Sequence, residues 1–581
     1  MHSADETPAT EGHPSGSVIP GPVTYGPVVD DSGSDVTPDT RPAPESGWLG
    51  SSPEAWFPPP TNGPTAIEKL QDGPPRSTWR GWLVTLAIAA LALAIRLPYL
   101  SRPKNLVFDE TYYPKDAWAL LRYGYEANYV DGANDLIRDG KLDNLFKNGE
   151  ASYIVHPPLG KWLIAGGEWL FGMNSFGWRF PSLVFGVLMI VLVVRLGRRL
   201  SRSMFIGTLA GVLLTFDGLH FVMSRTGLLD IFQATFLVAA VLAVVKDRDW
   251  FRHRLARHLT ARGLVDLDGA YGPWLVVRPW RIVAGLMFGC AIAVKWNSVF
   301  VLATMGVMSV LWDVSARRLA GARGKAWWGL VRDGLPAFVS MVLLAVPVYL
   351  ATWVRWLQTQ GGYYRQWGAE NPDSASVKLL GRPLASLWHY HVEIYKFHTG
   401  DYMANQTHTY EANPAGWLVV ARTIGIDAVN GIKPGEQGCT ATGTDTCLRV
   451  ISGMGTPFLW WFGVIAIIAG LWFWLAKGDW RFSVPLVALL STYLPWFKYA
   501  DRPLFFFYAI CIIPFTVIIL AMCLGKVIGP VRGHERRFRS LVAGAVVALI
   551  VANFAFIYPI LTDQLLTRTQ WLWRMWFNSW I

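Results

Sequence analysis

The chain has 581 residues, of which 52% are hydrophobic and only 16% are charged, against roughly 25% charged residues in soluble globular proteins. Apolar runs of about 20 residues, each long enough to cross a hydrocarbon core of roughly 30 Å, recur along it. This composition excludes an ordinary soluble enzyme. The net charge of +11 indicates membrane topology rather than nucleic-acid binding.

The N-terminal segment, residues 1–75, differs in composition from the rest of the chain. It holds eleven acidic residues against two basic ones and is rich in Pro, Gly, Ser and Thr. Such a segment cannot bury enough apolar surface to offset its chain entropy, so we predict a disordered tail. The basic residues Arg76 and Arg80 precede the first apolar run and place this tail in the cytoplasm. Residues 76–581 are predicted to form one multi-span membrane domain.

The apolar pattern predicts an all-α integral membrane protein with about eleven spanning helices. The spans begin near residues 82, 177, 204, 228, 281, 298, 334, 457, 482, 503 and 540. Residues 101–176 and 355–455 are predicted to be long outer loops, and residues 247–263 a basic cytoplasmic loop. Within the first outer loop, residues 163–172 are apolar but too short to span, which predicts a helix lying in the membrane interface.

The first outer loop carries the leading candidates for catalysis. Asp109 and Glu110 are adjacent carboxylates flanked by aromatic residues, Tyr112 among them. Either carboxylate could deprotonate a hydroxyl group beside a lipid-linked sugar. The alternative, from these residues alone, is an amphipathic interfacial segment whose acids are simply solvated.

Transfer from a lipid-linked sugar phosphate also needs cations where the phosphate departs, because negative charge develops there. The topology brings three candidates to the outer end of the bundle, which are Arg225, Lys295 and Arg502. Arg225 could instead pair with Asp230, and Lys295 could extend to the interface. The residues predicted to position substrate are His156, Lys161, Asp230 and Tyr112.

The cysteines and histidines carry weaker signals. Cys439 and Cys447 lie close together in the second long outer loop, where a disulfide can form, and a pair of free thiols is the alternative. Four histidines in the same loop suggest a metal only by their number, and no metal-ligand spacing appears. We therefore expect neither a metal nor another cofactor.

Six short motifs, considered together, make the chain from about residue 82 onward resemble a known family. They are FDETYY at Phe108 to Tyr113, HPPLGKWLI at His156 to Ile164, GWRFPS at Gly177 to Ser182, SRTGLLD at Ser224 to Asp230, Lys295-Trp296, and the aromatic C-terminus. In order and spacing they resemble the bacterial, actinobacterial-type protein O-mannosyltransferases of glycosyltransferase family 39. The resemblance implies a GT-C fold with large first and fourth extracytoplasmic loops.

The resemblance also implies an activity. Family members transfer mannose from polyprenyl-phosphate mannose to Ser or Thr hydroxyls of proteins leaving the cell, with inversion at the sugar carbon. Asp109 would be the base, Glu110 would help to hold substrate, and Arg225 would lie near the lipid phosphate. The implied partners are membrane lipids and unfolded Ser/Thr-rich secretory proteins near the secretion translocon, in the plasma membrane. Residues 355–455 are too few to include the β-trefoil insert of eukaryotic members, so acceptor selection stays open.

Two other functions fit parts of the pattern. A related lipid-phosphate-sugar transferase acting on a cell-wall glycan or lipid would use the same base and phosphate site. A membrane transporter would place its charges near the bilayer midplane on broken helices, whereas here the candidate charges gather at one end of the bundle.

Overall fold

The computed structural model describes residues 65–71, 79–530 and 533–581, and helices dominate it. The helices of ten or more described residues are Trp79–Arg96, Tyr113–Tyr123, Leu159–Phe171, Ser175–Ser201, Met204–Thr215, Asp230–Ala261, Pro279–Ile292, Val299–Leu319, Ala375–Thr399, Pro457–Leu475, Trp480–Tyr493, Ile513–Ile528 and Gly533–Leu561. Short helices lie between them, including Gly218–Met223, Ala345–Thr352 and the 3₁₀ turns Phe108–Thr111 and Trp296–Ser298.

Six helical stretches within the described ranges are long and apolar enough to cross a membrane. They are Trp79–Arg96, Ser175–Ser201, Trp296–Leu319, Arg323–Thr352, Pro457–Leu475 and Gly533–Leu561. Shorter apolar helices occupy other predicted spans, at Met204–Thr215, Pro279–Ile292 and Ile513–Ile528. The chain is therefore a multi-pass helical membrane protein, while the number of eleven spans stays a prediction.

Two predicted boundaries are wrong. Helix Asp230–Ala261 continues as far as Ala261 into residues 247–263, which we predicted to be a basic cytoplasmic loop. Phe251, Leu255 and Leu259 recur every four residues there and are all buried, so they form an apolar stripe that keeps the chain helical. The run from residue 204, which we predicted to extend to about residue 221, breaks after Thr215, where the Asp217 carboxylate accepts a hydrogen bond from the His220 amide and helix Gly218–Met223 begins.

The end of the predicted disordered tail is also ordered. Residues 65–71 form helix Ala66–Gln71, and Leu70 is only 2% exposed because it packs in a cluster with Phe251 and Leu255. Burial of this one apolar side chain explains why the disorder prediction is wrong at 65–71. The rest of the predicted tail, residues 1–64 and 72–75, lies outside the described residues.

The two long connections contain small antiparallel sheets. Strand Ala127–Tyr129 pairs with Phe146–Ala151 in the first connection. In the second, Ile424–Ile432 pairs with Cys447–Gly453, and the C-terminal strand Leu566–Thr567 adds to the other edge of Cys447–Gly453. A disulfide joins Cys439 to Cys447 beside this sheet. The second connection also holds helix Ala375–Thr399, so it is an ordered part of the protein.

A glycine brings three distant motifs together. Gly160 lies in the first turn of helix Leu159–Phe171, and a Cβ atom there would be 2.8 Å from the Leu229 side chain and 3.3 Å from that of Val294. The Leu159 amide also donates to the Ala293 carbonyl at 3.1 Å. The absence of a side chain at residue 160 therefore lets the segment after His156 pack directly against the residues that precede Asp230 and Lys295.

Candidate active site

A cavity of about 320 Å³ lies where these motifs meet. Two of the predicted phosphate-binding cations, Lys295 and Arg502, line it together with His156. Aromatic and histidine side chains form much of the remaining wall, among them Trp296, Tyr395, His398, Trp496, Tyr499 and Tyr508. The volume is within the usual range for small-ligand sites, and the combination of aromatic walls with few cations suits a ligand that joins apolar and anionic parts.

Lys295 is fixed by an ion pair. Its ammonium group lies 2.8 Å from Oδ1 of Asp230 and 4.9 Å from the ring centre of Tyr508. The other carboxylate oxygen of Asp230, Oδ2, is buried and has no hydrogen-bond partner among the described residues. Asp230 therefore holds Lys295 in place and keeps one acceptor unused, which is a costly arrangement unless a ligand or water completes it.

Arg502 is oriented by His398. Nη1 of Arg502 donates to the His398 carbonyl at 3.2 Å and lies 3.3 Å from its Nδ1. Nε2 of the same ring is 2.8 Å from the Val155 carbonyl, so Nε2 carries the proton and Nδ1 accepts from the guanidinium. The Nε of Arg502 is buried, with no partner in the part of the chain that the structure describes. Part of this guanidinium is therefore left to bind a ligand.

His156 completes the wall beside Arg502. Its ring stacks on that of His398, with centres 5.5 Å apart and planes 24° from parallel. Burial, and then the Lys295 ammonium, hold the pKa of His156 well below its usual value. The ring is thus neutral at pH 7, which fits the predicted positioning role better than a role as a phosphate-binding cation.

Asp109 lies on the strained 3₁₀ turn Phe108–Thr111. Phe108 has a φ of +46°, which is unfavourable for a bulky residue, and its ring packs edge-on against Phe505 and Phe507 at 5.8 Å each. The Tyr113 hydroxyl lies 3.5 Å from Oδ2 of Asp109, at the limit for a hydrogen bond. Packing of Phe108 thus fixes the backbone on which Asp109 stands.

The electrostatics of Asp109 suit a base. Burial raises its pKa from 3.8 to about 6, and the Lys295 ammonium acts in the opposite direction. Asp109 therefore interacts with the cation that lines the cavity. A carboxylate with this pKa is ionised at pH 7 and is a stronger base than an exposed Asp.

Glu110 is held by hydrogen bonds within the protein. It is 0% exposed, and its two oxygens receive both arms of the Arg179 guanidinium at 2.8 Å each. They also accept from the backbone amides of Val107 at 3.1 Å and Gly227 at 2.8 Å. With four hydrogen bonds within the protein, Glu110 ties the Asp109 turn to the neighbouring helix, and its help in holding substrate stays a prediction.

Arg225 does not line the cavity with Lys295 and Arg502. Its guanidinium donates to the carbonyl groups of Arg96, Pro98 (2.8 Å) and Tyr99 (3.1 Å). These carbonyls follow the last turn of helix Trp79–Arg96, so Arg225 fixes the end of that helix. The alternative of an Arg225–Asp230 ion pair is also wrong, because Asp230 pairs with Lys295.

Lys161 and Tyr112 also lie away from the cavity. Lys161 is buried between Asp116 (3.2 Å) and Glu126 (2.8 Å), which makes it a link between the first connection and helix Leu159–Phe171. Tyr112 is 55% exposed, and it is the next residue, Tyr113, that reaches Asp109. The sequence could not separate the two tyrosines, because the direction of each side chain depends on the turn geometry.

Sequence reasoning missed three residues that the site uses. Arg179 stood in a recognised motif without a role, His398 was counted only as a possible metal ligand, and Tyr508 was not singled out. Of the three, only Arg179 could have been identified from the sequence, because it lies in the GWRFPS motif. No group of three or more His, Cys, Asp or Glu residues in the described ranges is arranged to hold a metal ion.

Comparison with known proteins gives consistent results. Residues 86–267 match the family described as dolichyl-phosphate-mannose-protein mannosyltransferase. A polyprenol-phosphate-mannose–protein mannosyltransferase of Mycobacterium tuberculosis is 36% identical over 90% of this chain and 96% of its own length. The Corynebacterium glutamicum protein of the same name is 32% identical over 88% and 96%.

A solved structure shares the fold. A chain of the S. cerevisiae protein O-mannosyltransferase Pmt1-Pmt2 complex, solved bound to the sugar donor, superposes with a TM-score of 0.64 at 13% identity. The match covers 89% of this chain and 94% of that one. The predicted GT-C membrane fold is thereby confirmed.

Proposed function

The chain belongs to the protein mannosyltransferase family, and we propose that it transfers mannose from polyprenyl-phosphate mannose to Ser and Thr hydroxyls of secreted or membrane proteins. The relatives are named for a polyprenol-phosphate-mannose donor and a protein acceptor, and the similarity to this chain covers nearly the whole length of each relative. The observation that carries the assignment is the position of the Asp109 turn near the cavity: the ring of Phe108 packs on that of Phe507 at 5.8 Å, and the ring of Phe507 lies 5.8 Å from the ammonium of Lys295, which lines the cavity. The two other functions considered, a glycan or lipid transferase and a transporter, are not favoured by these relatives.

Lys295 and Arg502 supply the phosphate site in this proposal. Lys295 acts as a point charge whose position Asp230 fixes, and Arg502 offers an Nε that has no partner among the described residues, from a guanidinium that His398 orients. The aromatic walls around Trp296 and Trp496 suit the sugar face and the first lipid units. This replaces the predicted set of three cations with two, since Arg225 is occupied by backbone carbonyls.

The chemical step follows from this arrangement. The acceptor hydroxyl passes its proton to the Asp109 carboxylate while its oxygen forms a bond to C1 of mannose. The bond between C1 and the phosphate oxygen breaks, and its electron pair leaves with polyprenyl phosphate. Lys295 and Arg502 stabilise the negative charge that develops on this leaving group. Attack from the side opposite the phosphate inverts the configuration at C1.

Topology and partners complete the proposal. The basic residues that follow the spans, such as Arg198, Arg317 and Arg537, support a cytoplasmic end opposite Asp109. We therefore place the N-terminus in the cytoplasm and the cavity at the outer face of the plasma membrane. Acceptors there would be Ser/Thr-rich proteins still unfolded as they leave the secretion translocon. The two cations would let the reaction proceed without a metal.

Membranes carrying the wild type or Asp109→Asn, supplied with polyprenyl-phosphate mannose and a Thr- and Pro-rich peptide, test this function. We expect transfer by the wild type and a loss of at least about 100-fold in Asp109→Asn at equal protein level. Asp131→Asn, at an exposed position of the same connection, is the matched control and should stay active. Donor consumption without peptide labelling would instead point to a glycan or lipid acceptor, and no consumption at all would refute transferase activity.

A further inference from the structure

A second large cavity lies far from the active site. It has a volume of about 700 Å³ and is bordered by helices Asp230–Ala261, Val299–Leu319 and Trp480–Tyr493 together with the short helix Ala66–Gln71. Among the residues that the structure describes, three cations line it, Lys69, Arg248 and Arg252, and one carboxylate, that of Glu68. The lining thus has a positive balance, and nothing in the proposed transfer reaction uses it.

The distance between this cavity and the active site can be worked out along one continuous helix. Asp230, the partner of Lys295, opens helix Asp230–Ala261, and Arg248 follows it on the same helix. The rise of 1.5 Å per residue puts their Cα atoms about 27 Å apart along the axis. That is close to the roughly 30 Å thickness of a bilayer hydrocarbon core. The cavity therefore lies at the level of the opposite membrane surface, where lipid headgroups are found.

The side chains in this cavity are those that suit a lipid headgroup. The Arg248 guanidinium lies 3.5 Å from the ring centre of Trp480 and 5.6 Å from that of Trp312. Tryptophan side chains are enriched at headgroup level, and Arg stacked on an aromatic ring keeps its edge available to phosphate. Arg248 also pairs with Asp249 at 3.0 Å, but Asp249 is shared with Arg199 at 2.7 Å. Asp249 therefore does not neutralise Arg248 alone.

The fourth wall of the cavity is held in place by the protein. Arg252 donates to the Lys69 carbonyl at 2.8 Å, and Leu70 is buried against Phe251 and Leu255. The carboxylate of Glu68, which also lines the cavity, accepts a hydrogen bond from the Thr65 amide at 2.8 Å and is thus partly committed to its own helix. The short helix therefore closes the cavity on one side and adds a cation to it.

We propose that this cavity binds the phosphate group of an anionic membrane phospholipid, with Arg248 and Arg252 contacting the phosphate and Trp312 and Trp480 packing on the glycerol region. Negative lipids attract basic groups at the membrane surface. The bound lipid would join three long helices and the short helix Ala66–Gln71. It would thereby stabilise the end of the bundle opposite the catalytic carboxylate.

Lipid binding to the purified full-length protein tests the proposal directly. The delipidated protein is titrated with phosphatidylglycerol or phosphatidylcholine, and bound lipid is counted by native mass spectrometry. We expect phosphatidylglycerol to bind about tenfold more tightly, and the double variant Arg248→Gln with Arg252→Gln to lose that preference. Arg257→Gln removes an exposed cation of the same helix outside the cavity and should bind as the wild type does.

Three further outcomes are decisive. Equal affinity for both lipids in the wild type, or an unchanged preference in the double variant, would overturn the proposal. Displacement of the lipid by millimolar glycerol 1-phosphate would show a site for soluble phosphates and would overturn its assignment to a lipid. If the double variant does not fold, the single variant Arg252→Lys takes its place in the test. Lysine keeps the positive charge but lacks the planar guanidinium fork, so this variant should bind phosphatidylglycerol severalfold more weakly.

Discussion

Asp109 and Glu110 are neighbours in sequence, yet replacing each with its amide should have opposite effects on stability. Burial raises the pKa of Asp109 from 3.8 to about 6, so its ionised form is disfavoured in the folded protein by on the order of 3 kcal/mol at pH 7 and above. Asp109→Asn removes that charge and should stabilise the fold by up to about this amount. Glu110→Gln leaves the buried Arg179 without its counter-charge, which typically costs about 3–5 kcal/mol.

The assay is thermal unfolding of the purified proteins in detergent, followed by tryptophan fluorescence at pH 7.5 and pH 4.5. A group whose folded pKa is raised stabilises the fold below its unfolded pKa and loses that contribution as pH rises through the folded value. The advantage of Asp109→Asn should therefore be present at pH 7.5 and small at pH 4.5. Both variants should be inactive, for different reasons. If Asp109→Asn unfolds at as low a temperature as Glu110→Gln, the division into base and structural anchor is refuted.

Other predictions concern the same site. The kcat/KM for transfer should fall as pH drops through about 6, because Asp109 becomes protonated, and a profile that stays flat to pH 4.5 would rule Asp109 out as the base. Lys295→Met should lower kcat by about 100-fold or more, whereas Arg502→Lys, which keeps the charge, should mainly raise the donor KM; steady-state kinetics distinguish the two. Arg225→Ala should lower the unfolding temperature with little change in donor KM, and a large rise in that KM would return Arg225 to the phosphate site.

The sequence predicts where the helices are much better than where they end. Apolar runs identify membrane segments, because hydrocarbon imposes a length and a composition on them. After about residue 246, helix Asp230–Ala261 no longer has the apolar composition of a membrane segment. Beyond that point the only sequence signal for a helix is the apolar stripe of residues spaced by four. Leu70 shows the same effect on a smaller scale, since one buried side chain orders a segment whose composition indicates disorder.

The roles of the acidic pair depend on geometry that the sequence does not state. Consecutive residues on a 3₁₀ turn point about 120° apart, so Asp109 and Glu110 cannot share an environment. Arg179, which decides that Glu110 is the anchor, is 69 residues away in the chain. His398 and Arg502 are 104 residues apart. Contacts over such separations are set by helix packing, which a single sequence does not reveal.

The charge balance of the cavity affects how strongly the proposed donor and the departing polyprenyl phosphate are bound. The proposed donor is a phosphodiester with one negative charge, and the departing polyprenyl phosphate is a monoester with nearly two. Lys295 and Arg502 therefore interact more strongly with the leaving group than with the donor, which is the condition for cations to accelerate a reaction. Asp230 pairs with Lys295, so a phosphate must compete with that carboxylate for the ammonium. The ion pair thus weakens the hold on the dianionic product, and this lets it leave a site that would otherwise retain it.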